Sequence, residues 1–182
     1  MSAGLRELGS DELTAEEVIT IRALMDAAFA GDEHGGFTED DWLHAIGGRH
    51  FVAELNGEIV AHASVVPREI RVGGRPLRTG YVEAVATAPA HQRTGLGTLV
   101  MRAVDAHLDA GYELGALGTG SHGFYERLGW RTWQGPSSVR TAGEERPTPD
   151  EDGFIMVLAT RTSPPLDLAL PISCEWRPGD VW

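Results

Sequence analysis

A strand that runs into a glycine-punctuated helix entry constrains this chain more than any other stretch. Within Tyr81–Thr98, YVEAVATAPAHQRTGLGT, the residues Tyr81, Glu83, Val85 and Thr87 alternate with Val82, Ala84 and Ala86. That is the two-residue period of a β-strand packed on both faces. One carboxylate, Glu83, interrupts it. Pro89 marks a turn, and Gln92-Arg93-Thr94-Gly95-Leu96-Gly97 opens a helix over Gly95–Ala110 that Gly111 ends. The chain then returns as a strand over Tyr112–Leu117, which makes one strand–helix–strand crossover and calls for a sheet with helices on its faces.

The helix entry suits an anion. The first N–H groups of a helix lack partners within it, and the aligned peptide dipoles place partial positive charge there. Gly95 and Gly97 admit a phosphate close to the backbone, and Arg93 adds a full charge, so Gln92, Arg93, Thr94, Gly95, Leu96, Gly97 and Thr98 form a candidate cradle. An ordinary glycine-rich turn is the alternative. Two familiar phosphate motifs do not apply. A Walker loop needs a lysine, and all 15 basic residues here are arginine. A Rossmann fingerprint opens near the start of a βαβ unit, whereas this turn lies mid-chain after several strands.

Upstream, Thr14 and Glu17 form a capping box for a helix over Ala15–Ala30, after a short strand near Leu5–Leu8. A loop, Gly31–Thr38, leads to a short helix, Glu39–Ile46, with Trp42, Leu43 and Ile46 inward. His50–Leu55 and Glu58–Val66 read as a hairpin about Asn56-Gly57, and Arg68–Val72 continues that strand or starts another. Gly73-Gly74 then turns the chain into Leu77–Gly80. Downstream, Ser121 is placed to cap a helix carrying Tyr125, and a strand follows near Pro136. A polar loop over Thr141–Gly153 precedes strands at Phe154–Thr160 and Ile172–Trp176. Strands around a few helices indicate an α/β class with a mixed sheet, in one domain spanning 1–182.

Composition narrows the partners. A net charge of −12 and a pI near 4.9 disfavour nucleic acid and anionic membranes and would steer a cationic ligand inward. Cys174 is the only cysteine, so no intrachain disulfide forms. The seven histidines show no metal-ligand spacing, and no metal is expected. The first residues lack the apolar run of a signal peptide, so a cytoplasmic protein is expected.

The R-x-G-x-G after a strand resembles the acetyl-CoA pyrophosphate loop of the GCN5-related N-acetyltransferases. Gly123-Phe124-Tyr125-Glu126-Arg127-Leu128-Gly129-Trp130 is similar to that family's later FYxxxGF helix. The resemblance implies a splayed mixed sheet of about seven strands flanked by helices, with acetyl-CoA as co-substrate and no metal. It also implies backbone pairing of Val85, Ala86 and Thr87 with the pantetheine arm, and an N–H from Val85 toward the developing oxyanion. Glu83, a carboxylate on a central strand, wants either an ionic partner such as Arg78 or a proton-transfer task. The resemblance implies the second, as general base. Tyr125, read alone, is a core residue at a helix end; the resemblance implies a general acid for the departing thiolate.

The series GYVEAVAT, YELGAL, RLGW, GPSSV, TPDEDG and EWRPGDVW runs from about Ala27 to Trp182 and resembles the mycobacterial-type aminoglycoside 2′-N-acetyltransferases. That implies acetyl transfer to a 2′-amino group of an aminoglycoside antibiotic by a homodimeric enzyme. Implied substrate contacts are Asp32, Glu83, Glu151, Asp180 and Trp182, with Gly118 lining the pocket and Asp41, Ala84 and Asp150 as further candidates. Helix-start capping and loop solvation are the alternative for the acids. An apolar Trp182 after Asp180 points to a docked tail. Two other readings stand beside this one: acetylation of an endogenous amino sugar or polyamine, and a non-catalytic module that binds CoA or cations.

Overall fold

The computed structural model describes residues 3–31 and 36–182. In chain order it contains β1 (Gly4–Gly9), α1 (Ala15–Ala28), α2 (Glu39–Ala45), β2 (Arg49–Leu55), β3 (Glu58–Val72) and β4 (Arg75–Thr87). There follow α3 (Leu96–Gly111), β5 (Leu114–Gly118), α4 (His122–Glu126), β6 (Arg131–Thr132), β7 (Ser137–Thr141), β8 (Glu144–Pro147), β9 (Ile155–Ala159) and β10 (Ile172–Glu175). The chain forms two compact units, Met1–Val66 with Val82–Val104 and Pro67–Tyr81 with Asp105–Trp182. β3, β4 and α3 contribute residues to both.

In the first unit β1 pairs antiparallel with β2, and β2 pairs antiparallel with the first half of β3. The hairpin between them turns at Asn56 and Gly57, both left-handed at φ 53° and 85°, the conformation a type I′ turn requires. Thr14 caps α1 as expected: its hydroxyl accepts from the Glu17 N–H while Glu17 bonds back to the Thr14 N–H. The apolar faces of α1 and α2 meet the sheet through Ile21, Leu24, Met25, Trp42, Ala45, Val52 and Ala86. α1 stops at Ala28, two residues before the expected end, with Phe29 as C-cap.

The second unit carries the strand order β6-β9-β5-β4-β3-β10-β7-β8. β4 and β5 run parallel over Thr79–Tyr81, as do β10 and β7, while β5–β9, β6–β9, β3–β10 and β7–β8 are antiparallel. The sheet is therefore mixed, and α3 supplies the right-sized connection for the parallel β4–β5 pair. Ten strands occur among the described residues; β6 has two residues and β8 four, short additions to the about seven that the resemblance implies. Trp130 and Trp133 are buried in this unit, their indole N–H groups donating to Asp105 Oδ1 and the Leu170 carbonyl.

Three local expectations need correction. The stretch 141–153 is not one polar loop: Arg140↔Glu145 and Thr141↔Glu144 pair as a hairpin, and 149–151 is a 3₁₀ turn. Ser121 sits at the N-cap of α4 without a side-chain cap bond; its own N–H instead donates to Thr119 Oγ1 at 2.9 Å. Thirdly, of the residues expected inward on α2, Trp42 is buried but Leu43 and Ile46 are exposed; Arg68–Val72 continues β3, one of the two readings open for it, and Leu77–Gly80 runs into Tyr81–Thr87 in β4. No helix among the described residues is long and apolar enough to cross a membrane.

One close approach is intolerant of a methyl group. A Cβ at Gly135 would lie 2.0 Å from the Leu170 carbonyl oxygen and 2.7 Å from that of Ala169. Backbone fills both directions, so Gly135→Ala is expected to destabilise by roughly 2–3 kcal/mol or more. The thermal midpoint should fall by roughly 5–10 °C for a chain of this length. An unchanged midpoint would refute the packing described.

Candidate active site

The first unit holds the end of β4 and the entry to α3. Glu83 is half-buried, and its carbonyl accepts from Ser64 Oγ at 3.4 Å. The next residue, Ala84, has φ +49°, a left-handed conformation that costs a non-glycine residue roughly 1–2 kcal/mol. His62 Nδ1 lies 2.8 Å from the Ala84 carbonyl oxygen. The strand ends as the Ala88 N–H donates to the Val60 carbonyl. No signal in the sequence marks the left-handed conformation at Ala84, because alanine is not a residue that favours it.

Beyond β4 a 3₁₀ turn, Pro89–His91, leads to the candidate cradle. Gln92 Nε2 donates to the Thr87 carbonyl at 3.4 Å, and Thr94 Oγ1 to the His91 carbonyl at 2.5 Å. Arg93 and Gly95 are left-handed at φ 61° and 92°. Left-handed residues in a loop that opens a helix are the backbone pattern of an anion-holding nest. Leu96 is buried and anchors the first turn of α3, the Leu99 N–H closes on the Gly95 carbonyl, and Gln92, Arg93, Thr94 and Gly95 stay exposed. Gly97 and Thr98 follow half-buried in the same turn. The arrangement fits a diphosphate: exposed N–H groups, a long helix behind them and one arginine among them.

The second unit holds Tyr125 and the acidic residues of the tail. Tyr125 is buried on α4, its ring edge-on to Phe124 at 4.9 Å and to Trp130 at 6.1 Å between centroids. Burial pushes its phenol pKa up, so at neutral pH it carries its proton. Trp182 is buried, with its indole N–H donating to Thr148 Oγ1 at 3.0 Å. Its main-chain N–H donates to Asp180 Oδ1, and the Arg177 Nε to the Asp180 carbonyl. The Cys174 thiol, pushed up to about 11 mainly by burial, is protonated and donates to the Val181 carbonyl at 3.3 Å.

The docked tail meets Gly118 at the end of β5. A Cβ there would lie 3.5 Å from the Trp182 backbone and 3.6 Å from the Tyr81 hydroxyl oxygen. Glu151 joins the same unit from its 3₁₀ turn. Burial first, then the charges of Asp180 and Asp150, push its carboxyl above the ordinary range. The structure thus sets Glu151 against the charges of Asp180 and Asp150, a cost that a polycation would relieve. Asp152, the third acid of the run, is occupied structurally: its Oδ1 accepts from the Ser137 N–H and hydroxyl.

Asp32 lies outside the described residues. Asp41 belongs to the first unit and caps α2, where its Oδ2 accepts from the Thr38 N–H and hydroxyl at 2.7 Å each. The capping alternative is what its contacts display. Thr148, Cys174 and Tyr81 were missed by the reading of the sequence. Each acts from a distance along the chain, and only Cys174, alone of its kind and close to the tail motif, offered a signal.

A family model described as Acetyltransferase (GNAT) domain matches residues 10–133, more than half of the chain. The chain belongs to the GNAT acetyltransferase family. It is 39% identical over 181 residues to an aminoglycoside 2′-N-acetyltransferase of Mycolicibacterium fortuitum, covering 97% of this chain and 91% of that relative. Among solved structures it is similar to the GNAT family N-acetyltransferase YhbS from Escherichia coli in complex with CoA. The TM-score is 0.65 at 17% identity, over 96% of this chain and 89% of that one. A GNAT family acetyltransferase from Brucella melitensis in complex with acetyl-CoA gives 0.61 at 21%, over 90% and 92%. These likenesses establish the GNAT fold, a mixed sheet flanked by helices, and the family membership makes this chain an acetyltransferase.

Proposed function

We propose that this GNAT acetyltransferase transfers the acetyl group of acetyl-CoA to the 2′-amino group of an aminoglycoside antibiotic, and so confers resistance by modifying the drug. The observation that carries the reading is the buried Trp182 beside Gly118, with the charges of Asp180 and Asp150 repelling the half-buried Glu151 carboxylate in the same unit. A ligand with several ammonium groups answers that repulsion. The relative in Mycolicibacterium fortuitum, named for this reaction, supports the same substrate class.

Acetyl-CoA, when bound, supplies an acetyl thioester. The segment 92–98 holds its diphosphate through backbone N–H groups and Arg93, and the backbone of Val85, Ala86 and Thr87 lines the pantetheine arm. Glu83 takes the proton from the incoming ammonium, because only a neutral amine attacks. The Val85 N–H donates to the developing oxyanion. Tyr125, kept neutral by burial, gives its proton to the departing sulfur. Asp150, Glu151, Asp180 and Trp182 hold the polycation, with Gly118 leaving room for it.

Thiol release with acetyl-CoA and a panel of aminoglycosides, amino sugars and polyamines tests the reading. A kcat/KM near 10⁴ M⁻¹s⁻¹ or above, on the order typical of enzymes acting on their own substrates, is expected for an aminoglycoside. The product should carry its acetyl group at the 2′ nitrogen. Higher values for cellular amino sugars would move the native substrate to them, and binding without thiol release would indicate a non-catalytic module. Asp180→Asn keeps the acceptor for the Trp182 N–H and loses only charge. It is expected to raise KM for the aminoglycoside by about tenfold or more while KM for acetyl-CoA stays put. Equal changes in both constants would remove Asp180 from the substrate site.

A further inference from the structure

Three hydrogen bonds run in series through the first unit. Ser10 Oγ lies 2.8 Å from His50 Nε2, His50 Nδ1 lies 2.9 Å from His62 Nε2, and His62 Nδ1 lies 2.8 Å from the Ala84 carbonyl oxygen. Both imidazoles are fully buried. The direction of the series follows from its far end. A carbonyl oxygen has no proton to give, so His62 Nδ1 must carry one. Burial disfavours the imidazolium, pulling His62 down to about 3 and His50 to about 4, so both rings are neutral.

His62 Nε2 is then a lone pair, which makes His50 Nδ1 an N–H and His50 Nε2 an acceptor for the Ser10 hydroxyl. The Gly47 N–H in turn donates to Ser10 Oγ at 2.9 Å. Every donor meets an acceptor. Reversing the protons would set a bare His62 nitrogen against the Ala84 oxygen.

The carbonyl so held belongs to the one left-handed residue of β4, flanked by Glu83 and Val85. Alanine keeps φ +49° only where its surroundings impose it. That torsion sets where the preceding side chain points and where the following N–H points.

We propose that His62, its tautomer complemented by His50 and Ser10, is a positioning residue for acetyl transfer: it clamps the Ala84 carbonyl and so aims the Glu83 carboxylate and the Val85 N–H. The proposal rests on the roles given to Glu83 and Val85 above. Neither histidine contacts the reacting atoms in this scheme; both act through the strand.

Two measurements on the full chain test it. Imidazole ¹⁵N–¹H correlation spectra, which need no turnover, are expected to show both His50 and His62 protonated at Nδ1. An Nε2–H tautomer at either ring overturns the proposal. Steady-state kinetics then compare His62→Phe with His62→Asn, whose amide nitrogen sits where Nδ1 sits and still donates to Ala84. His62→Phe is expected to lower kcat by about 10–100-fold with little change in KM for acetyl-CoA, the scale of a misaimed catalytic group. His62→Asn should recover most of that loss. Equal kcat in the two variants, or a loss borne by KM alone, overturns it. Should His62→Phe not fold, His62→Leu is read the same way, since it too has no donor for the Ala84 carbonyl. Failure of the unaltered chain to transfer acetyl to any amine would instead defeat the catalytic reading, whatever the tautomers.

Discussion

Glu83→Gln lowers kcat/KM for an aminoglycoside by about 10²–10⁴-fold, the usual contribution of a general base, and the deficit is largest below neutral pH. Glutamine preserves the shape of the half-buried side chain on β4 but has no basic oxygen to receive a proton. The amine of the substrate is mostly ammonium near pH 7, so a variant without the base depends on the small neutral fraction. As the pH rises that fraction grows, and the two enzymes should converge. KM for acetyl-CoA stays within about twofold, because the cradle at 92–98 is built from a separate loop and helix end. Measuring kcat/KM for both proteins from pH 6 to 9 checks this. A ratio that does not vary with pH would dismiss Glu83 as the base and leave it a positioning role.

Acid should cost this fold much of its stability before most of its carboxylates titrate. In an unfolded chain histidine titrates near 6.5, whereas in the folded chain His50 is held at about 4 and His62 at about 3, chiefly by burial. Between those values the unfolded chain binds protons that the folded chain refuses, so stability is present above 6.5 and lost as the pH falls toward 4. At pH 4.5 the two rings together account for roughly 5 kcal/mol, against a total of about 5–15 for a typical domain.

Asp105 works the other way. Its carboxyl is raised to about 6 by burial, with the Trp130 indole pulling it back, so the folded chain gains a proton first and is favoured as the pH falls from 6 to about 4. That offset is roughly 2 kcal/mol at pH 4.5. Urea midpoints followed by circular dichroism should therefore drop between pH 7 and 4.5. Asp105→Asn, which keeps an acceptor for the indole, should make the drop steeper. A midpoint that holds steady across this range would show that the histidines are not buried as neutral rings.

The short-range features of this protein are legible from residues alone. Asn56-Gly57 forms the left-handed pair that its hairpin needs, and Thr14 with Glu17 closes a capping box. The strand-to-helix passage from Tyr81 through Gly95 lies where its alternation and glycines put it. Each of these depends on residues at most a few positions apart, so composition and spacing contain the answer. The same holds for the family, whose motifs are local runs. The boundary errors, such as the hairpin Glu144–Pro147 lost inside a polar stretch, arose because that strand is exposed and has no apolar period to announce it.

What only the tertiary structure decided is long-range. Ala84 is indistinguishable from its alanine neighbours in sequence, and its left-handed torsion accompanies a clamp from His62, 22 residues away. His62 owes its tautomer to the Ala84 carbonyl, and the series is completed by His50 and Ser10, brought near by the pairing of β1, β2 and β3. Trp182 owes its socket to Thr148, 34 residues earlier, and to a glycine on β5. Conformations and protonation states of this kind are imposed by partners that the chain meets only once folded. A sequence can name such residues without saying what will press on them.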